Sequence, residues 1–280
     1  MDQDMGEHQP HHTGAAGSKP GHRRLAVGCV HAELLPRMPY EVAYTPAADV
    51  IGFAFESQAG SHAFATDRTT GFRTRPNSLA YVPKGCDVVS RSRDGGEYLT
   101  LSTPFAPRAG RSAERRFNDV IDPVAIGAAQ HLRRLLLRGD MVDPIEAEAC
   151  VSTLCSAVAR VLAGGAVASR AARWMTARRL GLVDEIIEAR MDAGLTVGEL
   201  ASHLGLSSGF FHRAFKAGTG KTPHDYINDR RISRARLLLR RAPLGLAEIA
   251  TASGFSSHAH MTSQFRRRLG ISPSRLRDPD

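Results

Sequence analysis

The sequence predicts an α+β chain: a small β-barrel or sandwich, then helices, then an all-α C-terminal domain with two helix-turn-helix units. Three observations predict it. Short β-type runs separated by turn residues fill the stretch from Arg23 to about Pro104, helical periodicity takes over after Arg111, and one pattern is written twice between residues 196 and 273. A chain of 280 residues is long enough for two domains with a sizeable core each.

Residues 1–22 are rich in His, Gly, Pro and Asp and lack apolar periodicity, which predicts a disordered tail. His8, His11 and His12 read as part of that tail rather than as metal ligands. Residues 23–110 are expected to form the β domain. Its candidate strands are Ala26 to Glu33, Glu41 to Thr45, Val50 to Glu56, His62 to Thr66, Ser78 to Val82, Asp87 to Arg91 and Tyr98 to Ser102. Asp94-Gly95-Gly96 predicts a hairpin between the last two. The β region has only His31 and His62, with no His-x-His pair, so a metal-dependent barrel enzyme is not expected; no cofactor or metal is predicted. A sheltered barrel can still take a small organic effector, with Phe53, Phe55, Phe72 and Tyr81 as candidate lining. The bland reading of each aromatic is ordinary core.

Residues 111–172 are expected to be a helical region and linker. Pro123 starts one helix, to about Arg138, with Ile126, Leu132, Leu135 and Leu136 as its apolar set. Pro144 starts another, through Val151, Leu154, Val158, Val161 and Leu162 to the Gly164-Gly165 break. These helices can pack on their own barrel or form an interface between copies. The small, polar stretch from Gly164 to Ala172 reads as the interdomain linker.

The repeat occupies residues 173–280. Glu199-Leu200-Ala201 with Gly205 returns as Glu248-Ile249-Ala250 with Gly254, 49 residues later, and Gly-x-[Thr/Ser]-Pro at 220–223 returns at 270–273. The matched positions set helix starts, turns and packing, which marks a duplicated supersecondary unit. Each copy reads as a helix-turn-helix, at 197–218 and 246–268. Thr196 with Glu199 forms a capping-box signature, Gly205 supplies the left-handed turn, and Ser207 caps the second helix. Phe211 and Phe215 then share one buried face; in the second copy Gly245 takes the cap position, and Met261 and Phe265 the buried face. Between the copies a helix starting at Pro223 runs to about Arg241, roughly 27 Å at about 1.5 Å per residue. Its exposed side is expected to carry Arg230, Arg231, Arg234, Arg236, Arg240 and Arg241.

The opposite faces of the second helices carry the chemistry of a double-helix reader. On the first these are Ser208, Gly209, His212 and Arg213; on the second, His258, Ala259, Thr262 and Ser263. Arg213 can pair with the two major-groove acceptors of guanine, so the first unit is expected to dominate base readout. Phosphate contacts are expected from Thr196, Ser207, Lys216, Arg230, Arg234, Ser257, Arg266 and Arg267. Charge agrees: from Arg173 to the end there are 18 Lys and Arg against 10 Asp and Glu, so nearly all of the formal +9 sits with the repeat.

These segments, Glu199-Leu200-Ala201, Gly205-Leu206-Ser207-Ser208, Gly220-Lys221-Thr222-Pro223 and Gly270-Ile271-Ser272-Pro273, resemble the DNA-binding domain of AraC/XylS-type transcription regulators from about Leu180 to Arg277. The stretch Ser78 to Gly85, with Glu97 to Leu101, resembles the cupin-like sensor half of many such regulators. The resemblance implies two helix-turn-helix units on one face of a duplex, a cupin-like sensor domain and a homodimer. Where family members often have arginine, this chain has Ser263. Expected partners are double-stranded DNA, a small-molecule effector, a second copy of the chain and RNA polymerase. No apolar run approaches the ~20 residues that span a bilayer, and no signal peptide is apparent, so a cytoplasmic protein without membrane contact is expected. Two alternatives stand beside this reading: a DNA-targeted enzyme, as in alkylation-repair proteins with a similar module, and a sequence-indifferent DNA binder. The enzyme would need an activated cysteine, and Cys29, Cys86, Cys150 and Cys155 lack the neighbours for one; catalytic residues are not expected.

Overall fold

The computed structural model describes residues 22–104, 116–139, 142–165, 170–191 and 195–277. The expected tail with His8, His11 and His12, and residues 166–169 of the expected linker, lie outside the described residues. Among the described residues no helix is long and apolar enough to cross a membrane.

Among the described residues, ten strands form two antiparallel sheets rather than one closed barrel. β1 (Arg23–Val27), β2 (Val30–Leu35), β4 (Asp49–Ala54), β7 (Ser78–Val82), β9 (Tyr98–Thr103) and β10 (Phe117–Ile121) lie in the order β1-β2-β9-β4-β7-β10. β3 (Tyr40–Tyr44), β5 (Gln58–Phe64), β6 (Thr70–Thr74) and β8 (Val88–Ser92) lie in the order β3-β8-β5-β6. The run expected as one strand from Ala26 to Glu33 is a hairpin that turns at Gly28, whose φ is +56°. Asp94-Gly95-Gly96 does not join a paired hairpin: β8 and β9 belong to different sheets, and the turn carries the chain from one to the other. β6 and β10 were not expected.

Strand alternation sorts the residues of the six-stranded sheet onto two faces. Leu34, Ile51, Phe53, Leu79, Tyr81, Leu99 and Leu101 point to one side, buried beneath α1 (Pro123–Arg138) and α2 (Pro144–Leu162). Both helices start where proline and an aspartate cap predict. Asp122 accepts from the N–H groups of Val124 and Ala125, each at 2.9 Å, and Asp143 from that of Ile145 at 2.8 Å.

The remaining helices are α3 (Arg170–Trp174), α4 (Ala177–Ala189), α5 (Val197–His203), α6 (Ser208–Thr219), α7 (Pro223–Arg241), α8 (Leu246–Ala252), α9 (His258–Leu269) and α10 (Pro273–Arg277). They divide between two apolar cores. Leu180, Val183 and Ile187 of α4 close on Leu200, Phe211, Phe215 and Tyr226. Ile232, Ala235, Ile249, Met261, Phe265 and Leu269, by contrast, are continuous with the core of sheet, α1 and α2. The C-terminal helices are therefore seated on the β domain, not strung from it.

Candidate nucleic-acid interface

Each helix-turn-helix is built by local chemistry that the sequence specifies twice. In the first, the Glu199 side chain accepts from the Thr196 N–H at 2.8 Å while the Thr196 hydroxyl accepts from the Glu199 N–H at 3.2 Å. The Thr196 N–H, then the Thr196 hydroxyl donating at 2.8 Å and Arg190 at 2.9 Å, hold the Glu199 carboxyl down at about 2. Gly205 follows with φ +67°, and Ser207 caps α6 by accepting from the Phe210 N–H. In the second, glycine offers no cap oxygen, so only half the box survives: Glu248 accepts from the Gly245 N–H at 2.7 Å. Gly254 turns with φ +77° and Ser257 caps α9 through the His260 N–H at 3.1 Å.

Burial of one stripe leaves the opposite stripe in solvent. Phe211 and Phe215 are buried on α6, and Ser208, Gly209, His212, Arg213 and Lys216 are exposed. Met261 and Phe265 are buried on α9; His258, Ala259, Ser263, Arg266 and Arg267 are exposed and Thr262 is half-buried. On α9 the outward side chains bond to one another, His258 to Thr262 at 3.2 Å and Ser256 to His260 at 3.0 Å. The Arg213 guanidinium lies back along α6, its Nη1 3.7 Å from where a Cβ on Gly209 would stand. The caps Thr196, Ser207 and Ser257 are all exposed at the same ends of their helices.

The arginines of α7 depart from expectation. Arg230 is only 7% exposed and is paired with Glu188 of α4, while Arg236 is 6% exposed and pairs with Glu97, just before β9, at 2.7 Å. Arg230 is thus spent inside the fold and is withdrawn from the expected phosphate contacts. Arg234 does face solvent, although its Nε donates to the Ala252 carbonyl at 3.1 Å. A basic groove of about 370 Å³ between the two units was not foreseen; Lys216, Lys221, Arg267 and Arg268 line it. Arg268 is fixed there by Asp229 at 2.8 Å and Asp225 at 2.6 Å, tying α9 to the start of α7.

The profile of a helix-turn-helix domain family matches residues 200–278. Over 94 residues the chain is 35% identical to the probable transcriptional regulator LumQ of Photobacterium leiognathi, covering 34% of this chain and 38% of that one. This C-terminal segment is an AraC/XylS-type helix-turn-helix domain. The AraC-type domain is also 34% identical over 102 residues to the transcriptional activator RhaS of Escherichia coli, covering 36% of this chain and 37% of RhaS. A solved AraC-type regulator from Chromobacterium violaceum is 31% identical, covering 36% of this chain and 89% of that chain with a TM-score of 0.34. The chain therefore spans little more than a third of the length of these curated relatives.

The other candidate site divides differently. Phe53, Phe55 and Tyr81, expected to line an effector pocket, belong to the core beneath α1 and α2, because alternation turns them to the helical side of the sheet. Phe72 lies elsewhere, stacked on His62 with ring centroids 4.8 Å apart in the four-stranded sheet. The side of the six-stranded sheet turned away from the helices carries Tyr98, Thr100 and Ser102, and a groove of about 410 Å³ there is lined by Arg24, His31, Glu33, Thr100 and Ser102. Burial, then the nearby phenols of Tyr44 and Tyr40 of β3, push the Tyr98 hydroxyl far above the usual range. Tyr44 nonetheless stays 45% exposed. The period-two pattern of 98, 100 and 102 was the available signal for this face.

Proposed function

We propose that the protein is a sequence-specific transcription regulator that reads double-stranded DNA with α6 and α9. The observation that carries this is the pair of capped helices whose polar stripes are both left in solvent while their apolar stripes are buried. A helix of this kind fits the major groove, where Arg213 can bond the two acceptors of a guanine and His212 a neighbouring base or phosphate. Lys216, Arg266 and Arg267, with the caps Thr196, Ser207 and Ser257, are in reach of backbone phosphates, and Arg234 joins them from α7. The second unit offers short side chains already bonded to one another, which supports a lesser share of base readout for His258, Ala259, Thr262 and Ser263.

The N-terminal half is proposed to hold a small organic effector on the side of the six-stranded sheet turned away from α1 and α2, beside Thr100 and Ser102. A groove of about 410 Å³ lined by Arg24, His31, Glu33, Thr100 and Ser102 has the dimensions of a small-molecule site. An effector held there acts on DNA binding only through a difference in affinity for two arrangements of the chain. Homodimerisation, RNA polymerase as a partner, a cytoplasmic location and the lack of enzymatic activity complete the reading. Enrichment from a randomised duplex pool with the full-length protein tests it: a discrete motif preferred by about 10³-fold over competitor DNA is expected. Uniform retention of the pool would leave a sequence-indifferent binder.

A further inference from the structure

The reading stripes of α6 and α9 are free, but the far ends of both helices are held, and one helix of the N-terminal half holds both. α6 ends at Gly220 in the left-handed region, φ +72°, and Ile126 of α1 lies against its bare Cα so closely that a Cβ there would overlap the Ile126 δ-methyl. α9 ends at Gly270, φ +74°, and a Cβ there would come within 3.1 Å of Nε of Arg138, at the other end of α1. The duplicated cap glycine is thus the docking point in both units. Twelve residues of continuous helix separate Ile126 from Arg138, about 18 Å.

Polar contacts reinforce both ends. The last carbonyls of α6 lack helical donors, and the N-terminal half supplies them: Arg75 donates to the Gly218 carbonyl at 3.0 Å and Asn77 to that of Thr219 at 3.0 Å. Asn77 is in turn held by Gln130 of α1 at 3.2 Å. Just beyond α9, Arg275 donates to the Arg138 carbonyl at 3.2 Å. α7 already joins the two units covalently, yet a single strut leaves each free to pivot about its own contact with it. A second strut, α1, closes the figure.

We infer that α1 sets the distance and tilt between the two recognition helices, and so the base-pair spacing between half-sites that the protein accepts, with Ile126 and Arg138 as positioning residues. This rests on the proposal that α6 and α9 bind one duplex. It makes the N-terminal half part of the specificity of the DNA reader even without a ligand, because the part of each helix it grips is the end away from the bases.

The experiment uses the full-length protein and duplexes in which the two enriched half-sites are moved apart or together by one or two base pairs. Wild type is expected to favour one spacing by about tenfold or more. Ile126→Ala combined with Arg138→Ala flattens that profile while keeping preference for each half-site, and Val124→Ala, on the solvent side of the same helix, leaves the profile unchanged. Arg138→Ala alone, outside the core, broadens it in the same direction and serves if the double variant does not fold. A folded Arg138→Ala or double variant with the wild-type spacing profile overturns the inference, as does a wild type indifferent to spacing. Absence of any half-site preference in wild type overturns instead the DNA-reading proposal on which it stands.

Discussion

The two helix-turn-helix units have matching left-handed turns and solvent-facing stripes but rest on different foundations. The first closes a core of its own with α4, through Leu180, Val183, Phe211 and Phe215. The second has no separate core: Met261, Phe265 and Leu269 continue into the cluster that holds α1, α2 and the six-stranded sheet. Duplication fixed the local geometry, and what each copy packs against then diverged. Loosening the N-terminal half should therefore be felt first by the second unit, while the first keeps its shape.

The sharpest way to break this comparison is at Glu97. Its carboxyl is fully buried between Arg133 of α1 and Arg236 of α7. Burial alone would raise its pKa, but the two guanidiniums dominate and hold it at about 2. Glu97→Ala strands two buried cations and should cost about 3–5 kcal/mol in denaturant unfolding. A loss under about 1 kcal/mol would mean that water reaches the cluster. Because the folded pKa is depressed, the stabilisation is complete above the ordinary carboxylate range near 4.5 and fades as pH falls toward 2. Acid titration of wild type against Glu97→Gln should show the variant with the flatter pH dependence across that window.

Next come the turn glycines, which compare the foundations directly. At Gly254 a Cβ would overlap the Met191 carbonyl, whereas nothing lies within 4 Å of one at Gly205. Both residues have positive φ, so alanine at Gly205 should cost only the conformational penalty of about 1–2 kcal/mol. Alanine at Gly254 should cost that and a backbone displacement as well. Equal losses in thermal melts would show that the Met191 contact yields freely.

Base readout gives a third comparison. Arg213→Ala should weaken binding by about 1–3 kcal/mol and relax preference at one position. Ser263→Ala on the second unit should change little, and equal effects would remove the asymmetry between the units. The smallest effect belongs to the caps: Ser207→Ala and Ser257→Ala should each cost about 1 kcal/mol of stability.

Much of this organisation could be read from the chain. Pro123, Pro144 and Pro223 mark helix starts because their fixed φ and adjacent Asp or Thr caps act within four residues, and the structure begins α1, α2 and α7 at those prolines. Ser78 to Val82 is the strand expected. Readings that depended on distant partners fared worse. The α7 arginines look like a solvated face until Glu188 and Glu97, far away in sequence, close on Arg230 and Arg236. Phe53 and Tyr81 looked like pocket lining because composition does not reveal which face of a strand a helix will cover. The β1–β2 hairpin was missed because Gly28 and Cys29 interrupt an otherwise continuous β-type run with little polar punctuation.

The central claim is that two tethered recognition helices read neighbouring grooves on one face of one duplex. Hydroxyl-radical footprinting of the full-length protein on its enriched site tests it most directly. The account predicts two protected patches about one helical turn, 10–10.5 base pairs, apart on the same face, with Arg213→Ala weakening the patch nearest its own half-site. A single patch, or protection spread evenly along the duplex, would contradict it.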